Sequence, residues 1–315
     1  MIAPGNSITA PVLVLAGPTA IGKTALSLQL ATRFGCEIIS MDSMQVYRYM
    51  DIGTAKASKE EQRLVAHHLI DIVDPDEQYD AARFVQDAQA TIAAIHAQGR
   101  IPLLTGGTGL YLSSLINGLF DTIKVPDHIR ILLRQRLDQE GRGALHRELM
   151  AVDRESGERI HVNDTQRLLR GLEIFHATGI PWSQHMRHQQ QCLAPPSFSR
   201  MLLMGLTCER EMLYDRIKQR SISMMCDEFA GEVEWLLARG YQAELPSMQS
   251  IGYRHMLAYL SGASDRQAAL STLIRDTRRY AKRQLTWFRN QQQVAWHQVD
   301  QADTVLATID RFLNA

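Results

Sequence analysis

Charge of one sign is what this sequence lacks most plainly. Its 315 residues hold 34 lysines and arginines against 34 aspartates and glutamates, for a formal net charge of zero. That balance excludes a histone-like binder working through overall charge and leaves room for a local basic surface. Cysteine is sparse. Cys36, Cys192, Cys208 and Cys226 lie far apart with no C-x-x-C pair. That argues against a disulfide frame or a zinc site and points to reduced thiols in a cytoplasmic protein. No apolar run reaches the roughly 18 residues of a membrane span, so no membrane partner is expected. The N-terminal residues show no basic stretch leading into an apolar one, so no signal peptide is expected. Internal repeats and a heptad seam are also lacking, which favours a monomer. Hydrophobic residues, at 45%, are ample for the core of one large domain or two.

Against these absences stands Gly17-Pro18-Thr19-Ala20-Ile21-Gly22-Lys23-Thr24, which fits the P-loop pattern G-x-x-x-x-G-K-[ST]. The apolar run Val12 to Ala16 leads in as a short buried strand, and Ala25, Leu26, Leu28, Leu30 and Ala31 form the apolar side of a helix leading out. Glycines let backbone N–H groups turn inward as an anion nest, and the helix N-terminus adds its dipole. Lys23 adds a full charge, and the Thr24 hydroxyl suits Mg²⁺. Something bearing phosphate is expected here, and the loop alone does not say what.

A second strand, Glu37 to Ser40, runs into Met41-Asp42-Ser43-Met44-Gln45-Val46-Tyr47. Ligands of parallel α/β sheets sit at the carboxyl ends of strands, so Asp42 and Ser43 should emerge beside the P-loop. A helix N-cap is the competing role for Asp42. Met50 to Lys56 reads as a loop, a solvated turn being its plainest form, His68 to Asp74 as a short strand and Ala81 to Gln98 as a helix. Ile101 to Thr105 reads as a third strand, entering Gly106-Gly107-Thr108-Gly109. Alternating strands and helices predict a right-handed parallel α/β sheet. The third strand ends without the Asp that nucleotide-hydrolysing P-loop proteins use to help hold Mg²⁺. Ordinary ATPase chemistry is therefore disfavoured.

The texture changes near Asp121. Gly and Pro punctuate short helical patterns up to Pro195-Pro196, and six of the eleven histidines gather there without metal-ligand spacing. Residues 121–197 read as a helical insertion into an α/β core of 1–120 and 198–315. Within it Asp164 caps a helix carrying Gln166 and Arg170 on one face, with Arg167 beside them. Arg200 to Thr207 reads as a return strand. The helix from Glu209 carries Arg210, Arg216, Lys218 and Arg220. Gly252-Tyr253-Arg254 opens another helix. Leu273 to Asn290 is a long one, with Arg275, Arg278, Arg279, Lys282, Arg283 and Arg289 against a single acid, Asp276, and with Trp287 and Phe288 among them. Basic residues interleaved with aromatics suit nucleic acid or polyphosphate. Apolar packing with snorkelling arginines is the alternative. Val294 to Val299 reads as a last strand.

Taken in order, Gly17 to Thr24, Asp42 to Tyr47, Asp51 to Lys56, Gly106 to Tyr111, Asn163 to Arg170, Ser250 to Arg254 and Lys282 to Arg289 resemble the tRNA dimethylallyltransferase family over nearly the whole chain. Ile21 departs from the family's usual Ser, and Ala57 stands where Pro is common. The resemblance implies a P-loop NTPase-like parallel core with a small inserted helical domain. It also implies transfer of a dimethylallyl group from dimethylallyl diphosphate to the exocyclic amine of adenine at tRNA position 37.

On that resemblance, residues 17–24 (Gly17, Pro18, Thr19, Ala20, Ile21, Gly22, Lys23 and Thr24) hold the diphosphate leaving group, with Mg²⁺ on Thr24. Asp42 orients the amine and takes its proton, Thr108 hydrogen-bonds nearby, and Arg220 is a second clamp, with Arg216 as runner-up. Asp42, Ser43, Met44, Gln45 and Thr108 meet the target base. Arg130, Gln166, Arg167, Leu168, Leu169 and Arg170 grip the anticodon stem-loop, as do Gly252, Tyr253, Arg254, Lys282, Arg283, Gln284, Trp287 and Arg289. A P-loop small-molecule or nucleotide kinase, and a non-catalytic RNA binder with a vestigial loop, are the other classes. Asp42 and the basic helix count against the first, and the intact loop counts against the second.

Overall fold

The computed structural model describes residues 8–118, 123–192, 198–291 and 293–315. The chain forms two compact units, Met1–Ile116 with Pro196–Ala315, and Asn117–Pro195. The expected junctions at 120/121 and 197/198, and Pro195-Pro196, involve residues outside the described set.

The first half of the larger unit runs β1 (Val12–Ala16), α1 (Lys23–Phe34), β2 (Cys36–Met41), α2 (Lys59–Leu64), β3 (His67–His68), α3 (Ala81–Ala97), β4 (Ile101–Gly106) and α4 (Gly109–Asn117). The smaller unit holds α5 (Asp127–Val152), α6 (Arg154–Arg159), α7 (Thr165–Thr178) and α8 (Trp182–Cys192). The chain then returns through β5 (Met201–Thr207), α9 (Arg210–Met224), α10 (Asp227–Ala238), α11 (Tyr253–Leu260), α12 (Arg266–Arg289), β6 (Ala295–Gln298) and α13 (Ala302–Asn314).

The six strands form one sheet in the order β3-β2-β4-β1-β5-β6, with every pair parallel. Central β1 and β2 are buried along their whole length. Helices cover both faces of such a sheet, so its strands read as unbroken apolar runs without alternation. In register, Ala16 of β1 and Met41 of β2 both pair with Gly106 of β4. The carboxyl ends of three strands therefore finish side by side, and the loops that follow share one rim. Beneath that rim Leu13, Leu15, Ile21, Leu30, Leu103, Met204 and Leu206 pack into a common core.

Two expectations change. The strand expected over His68 to Asp74 shrinks to His67–His68, which pair with Ile38 and Ile39. Leu69 and Asp71 take positive φ of 60° and 56°, which no strand accommodates. A single bridge from Tyr47 to Val73 carries the chain onward. The loop over Asp51 to Lys56 is not a solvated turn. The Lys56 side chain is 2% exposed, with its Nζ ion-paired to Asp51 and Asp71 and bonded to the Tyr47 carbonyl.

The smaller unit builds its own core from Leu133, Leu145, Leu149, Ile160, Leu168 and Leu172. Asp153, buried, ties it together by accepting the N–H groups of Ser156 (3.1 Å) and Ser183 (2.9 Å). At the start of α7 Asp164 accepts from Arg167 N at 3.2 Å, the N-cap that the sequence predicts.

Candidate active site

The first side of the site is the loop between β1 and α1. Gly22 sits at φ 105°, a left-handed conformation that residues with a Cβ rarely adopt. α1 then begins at Lys23, so its unpaired N–H groups face the loop's interior. Lys23 Nζ donates to the carbonyls of Gly17 (2.9 Å) and Pro18 (2.8 Å). Burial pulls the Lys23 ammonium down to about 8, against the opposing pull of the Asp42 carboxylate. Two arginines of α9 brace the loop. Arg216 donates to the Ile21 carbonyl at 2.8 Å, and Arg220 donates to the Thr19 hydroxyl at 3.0 Å. Burial also lowers the Arg220 guanidinium, while Asp42 raises it.

The second side is the end of β2 and the loop after β4. Asp42 Oδ1 accepts the N–H groups of Met44 (2.8 Å) and Gln45 (3.3 Å), so the carboxylate does cap its own turn. Its Oδ2 has no protein partner among the described residues. One oxygen thus fixes the group and leaves the other for a ligand. Thr108 is tied to the same turn: its N–H donates to the Met41 carbonyl (3.3 Å), and its hydroxyl accepts from Ser43 N (3.1 Å).

Gln284 of α12 joins the two sides. Its Oε1 accepts from Thr19 N and its Nε2 donates to the Gly107 carbonyl, each at 2.9 Å. It is 6% exposed. A Cβ at Gly107 would stand 2.1 Å from Nε2, so only glycine leaves room for this staple. The amide of Gln284, expected at the RNA, thus uses one N–H and one oxygen lone pair inside the protein.

These parts border one cavity of about 700 Å³. The wall includes Thr19, Ala20, Gly22, Lys23 and Thr24 of the loop, together with Asp42, Ser43, Met44 and Gln45. Arg220, Arg254, Arg283 and Gln284 border it too. Gly17, Pro18 and Ile21 lie behind the wall. Ile21 is fully buried in the core cluster, so its departure from the family residue alters packing under the loop and not the cavity surface.

Other expected contacts fall elsewhere. Tyr253 is fully buried, and its hydroxyl donates to Glu232. That carboxylate also accepts the N–H groups of Asp51 (3.1 Å) and Ile52 (2.9 Å). Gly252 is buried against Gly53. Both residues hold the Asp51–Lys56 loop from within and present no side chain to RNA, a correction forced by burial. Arg254 reaches the cavity while paired with Asp276 at 2.6 Å. Trp287 packs against Gly109. Lys282 and Arg289 are exposed, away from the cavity wall.

In the smaller unit Leu168 is fully buried in the core, which corrects its assignment to RNA, and Leu169 packs against that core. Gln166 and Arg167 are exposed. Arg130 and Arg170 both reach Glu173, at 4.0 and 3.4 Å.

Sequence reasoning missed the cavity's helical wall. Ile217 and Met224 of α9, and Leu273, Thr277 and Tyr280 of α12, face it. Positions 273, 277, 280 and 284 follow a helical stripe. That stripe is a signal in the sequence, masked by the arginines that dominate the helix's composition. Burial beside Asp42 raises the Tyr280 phenol, which stays protonated. Thr105 Oγ1 and Ser250 Oγ, also in the wall, are buried without a protein partner.

A parallel α/β sheet with a P-loop after its central strand, and a capped carboxylate in the wall of the same cavity, defines a P-loop-type α/β protein with a cavity suited to a phosphorylated ligand. Comparison with known proteins narrows the class. The family model described as IPP transferase matches residues 45–291, and a second, isopentenyl transferase, matches residues 10–77. The tRNA dimethylallyltransferase of Desulfotalea psychrophila is 51% identical over 98% of this chain and 97% of its own. That of Desulfosudis oleivorans is 45% identical over 98% of each. The solved tRNA isopentenylpyrophosphate transferase of Bacillus halodurans matches with a TM-score of 0.70 and 40% identity, covering 96% of this chain and 97% of that one. A eukaryotic dimethylallyltransferase solved acting on tRNA matches with a TM-score of 0.76 at 28% identity, covering 96% of this chain and 78% of that one. The chain belongs to the IPP transferase family.

Proposed function

We propose that this enzyme transfers the dimethylallyl group of dimethylallyl diphosphate to the exocyclic amine of adenine 37 in tRNA, releasing diphosphate. The observation that carries the reading is that an anion cradle and a half-free carboxylate, Asp42, line the same cavity.

The cradle receives the donor's diphosphate. As the allylic C–O bond breaks, its electron pair passes to the diphosphate oxygens. The N–H groups at the start of α1, Lys23 and Arg220 stabilise that growing charge. The allylic carbon gains cationic character and is attacked by the amine nitrogen. Asp42 Oδ2 accepts the proton that nitrogen sheds, and Thr108, fixed to the same turn, orients the amine. The base must leave its stack to reach the cavity, at a cost of a few kcal/mol.

The donor set fits a magnesium ion that arrives with the donor. Thr24 offers a hydroxyl at the cavity, and no cluster of three protein ligands occurs among the described residues. Mg²⁺ commonly takes one or two protein oxygens and completes its shell with phosphate oxygens and water. When bound there, it would neutralise charge on the leaving group. The end of β4, with Thr105 and two glycines, leaves room for ligand where a hydrolase would place an acid.

RNA contacts are assigned to Arg254, Arg283, Lys282, Trp287 and Arg289 on the larger unit. On residues 121–197, read as the gripping domain, they fall to Arg130, Gln166, Arg167 and Arg170. The enzyme is read as a cytoplasmic monomer. No helix among the described residues is long and apolar enough to cross a membrane.

The test is incubation with labelled dimethylallyl diphosphate, Mg²⁺ and unmodified tRNA. Label entering the RNA at adenine 37 is the expected result. Absence of label from RNA, or phosphoryl transfer from ATP in its place, defeats the proposal.

A further inference from the structure

A second pocket, of about 330 Å³, opens between α9 and α12. Its wall carries Arg210 and Tyr214 from α9, and Arg275, Arg278, Arg279 and Lys282 from α12. Among the described residues five cations border it and no carboxylate does. The one acid of α12, Asp276, is already shared, and Glu209, Glu211 and Asp215 beside the α9 residues form no ion pair with these cations among the described residues. Asp276 pairs with Arg254 at 2.6 Å, His255 at 3.3 Å, Arg275 at 3.1 Å and Arg279 at 3.9 Å. Arg210, Arg278 and Lys282 have no acidic partner among the described residues.

Two of these cations are held in place without being neutralised. The guanidinium carbons of Arg210 and Arg278 lie over the Tyr214 ring, 5.0 and 4.8 Å from its centroid. Cation–π attraction of this kind fixes a guanidinium while leaving its charge and most of its donors available. Arg278 Nε is buried with no hydrogen-bond partner among the described residues. Like charges gathered this way repel one another, and a fold that pre-orders them gains when an anion arrives. The Tyr214 ring already engages two guanidiniums, which compete with base stacking there. That favours phosphate over nucleobase. The face is distinct from the catalytic one: α12 presents Leu273, Thr277, Tyr280 and Gln284 to the main cavity and residues 275, 278, 279 and 282 to this pocket.

We propose that the α9–α12 pocket binds phosphate groups, and that the backbone of the substrate RNA supplies them. The choice of RNA as the source rests on the function proposed above. The pocket lies on the same helix as the catalytic wall, where RNA whose base enters the main cavity passes close by.

The test uses the full chain carrying Arg210→Gln and Arg278→Gln together, with tRNA binding measured across a range of KCl concentrations. Loss of two phosphate contacts should weaken binding about tenfold near physiological salt. The log–log salt slope should become shallower by roughly 1.5 to 2. KM for dimethylallyl diphosphate should stay unchanged. The charge-keeping pair Arg210→Lys and Arg278→Lys should retain the parent slope. Sodium tripolyphosphate, titrated calorimetrically into the Lys23→Ala protein with and without Arg278→Gln, reads the pocket with the main cradle weakened.

An unchanged salt slope, together with tripolyphosphate binding that Arg278→Gln abolishes, would overturn RNA as the source in favour of a free polyphosphate. No change in either measurement overturns the site. Equal loss in the Gln and Lys pairs overturns it in favour of packing. Failure of label transfer by the parent enzyme would defeat the proposed function separately, since the tripolyphosphate arm does not depend on it.

Discussion

Replacing Gln284 by leucine should loosen the join between the two sides of the active site while leaving Lys23, Asp42 and Arg220 chemically intact. The side chain would still fill the buried space, but the Thr19 N–H and the Gly107 carbonyl would each lose their partner. A buried polar group left unpaired costs about 1–3 kcal/mol, giving a ceiling of about 6 kcal/mol for two. Both groups border a wet cavity, so water recovers part of this, and about 2–3 kcal/mol is expected in urea unfolding. The larger effect should be on turnover. Gln284 sets the distance from the anion cradle to the turn holding Asp42, and a misplacement of about 1 Å can cost 10²-fold. Single-turnover label transfer should slow on that scale, with tRNA affinity within about twofold of the parent. Gln284→Glu keeps the acceptor for Thr19 N but opposes the Gly107 carbonyl, so it should fall between the parent and the leucine variant. A variant with parental turnover and lowered stability would reduce Gln284 to packing. Loss of tRNA affinity alone would restore it as an RNA contact.

Four further outcomes are expected. Asp42→Asn keeps the cap acceptor but loses the base, so turnover should fall by about 10²–10⁴-fold with donor binding retained; parental turnover would leave Asp42 only a cap. The Lys23 ammonium, lowered to about 8 by burial, is charged below that pH in the free enzyme. Donor KM should therefore rise as pH passes about 8, and bound diphosphate should move the midpoint upward. In stability the sign is opposite: the unfolded chain holds this proton up to its ordinary value of 10.5, so the lysine's burial penalty fades between about pH 8 and 10.5. A pH-independent KM would refute the charge assignment. Glu232→Ala should destabilise by about 3 kcal/mol, because it strips a charged acceptor from Asp51 N, Ile52 N and the Tyr253 hydroxyl; calorimetric unfolding reads it. Leu168→Ala should cost about 2–5 kcal/mol in the helical unit, measured by hydrogen exchange, as a cavity in its core rather than a lost RNA contact.

What the linear sequence determined was chemistry that sits within a few consecutive residues. The P-loop is local: its glycines, Lys23 and the start of α1 need only their own backbone to make an anion nest. The Asp42 turn is local too, since the carboxylate caps the N–H groups two and three residues ahead. Unbroken apolar runs foretold the parallel strands, and Asp164 foretold the start of α7. Tertiary structure decided everything that depends on a face or a partner far along the chain. Gln284 and Thr19 are separated by 265 positions; helical spacing puts Gln284 on the stripe of 273, 277 and 280, but no spacing rule names its partners. Tyr253 and Leu168 sit inside motifs that look like RNA contacts and prove to be cores, because a motif records which residues matter and not which way they point. Even the charge of α12 was legible only as a total. The fold divides it, giving one face to the catalytic wall and the other to a pocket of arginines held over Tyr214.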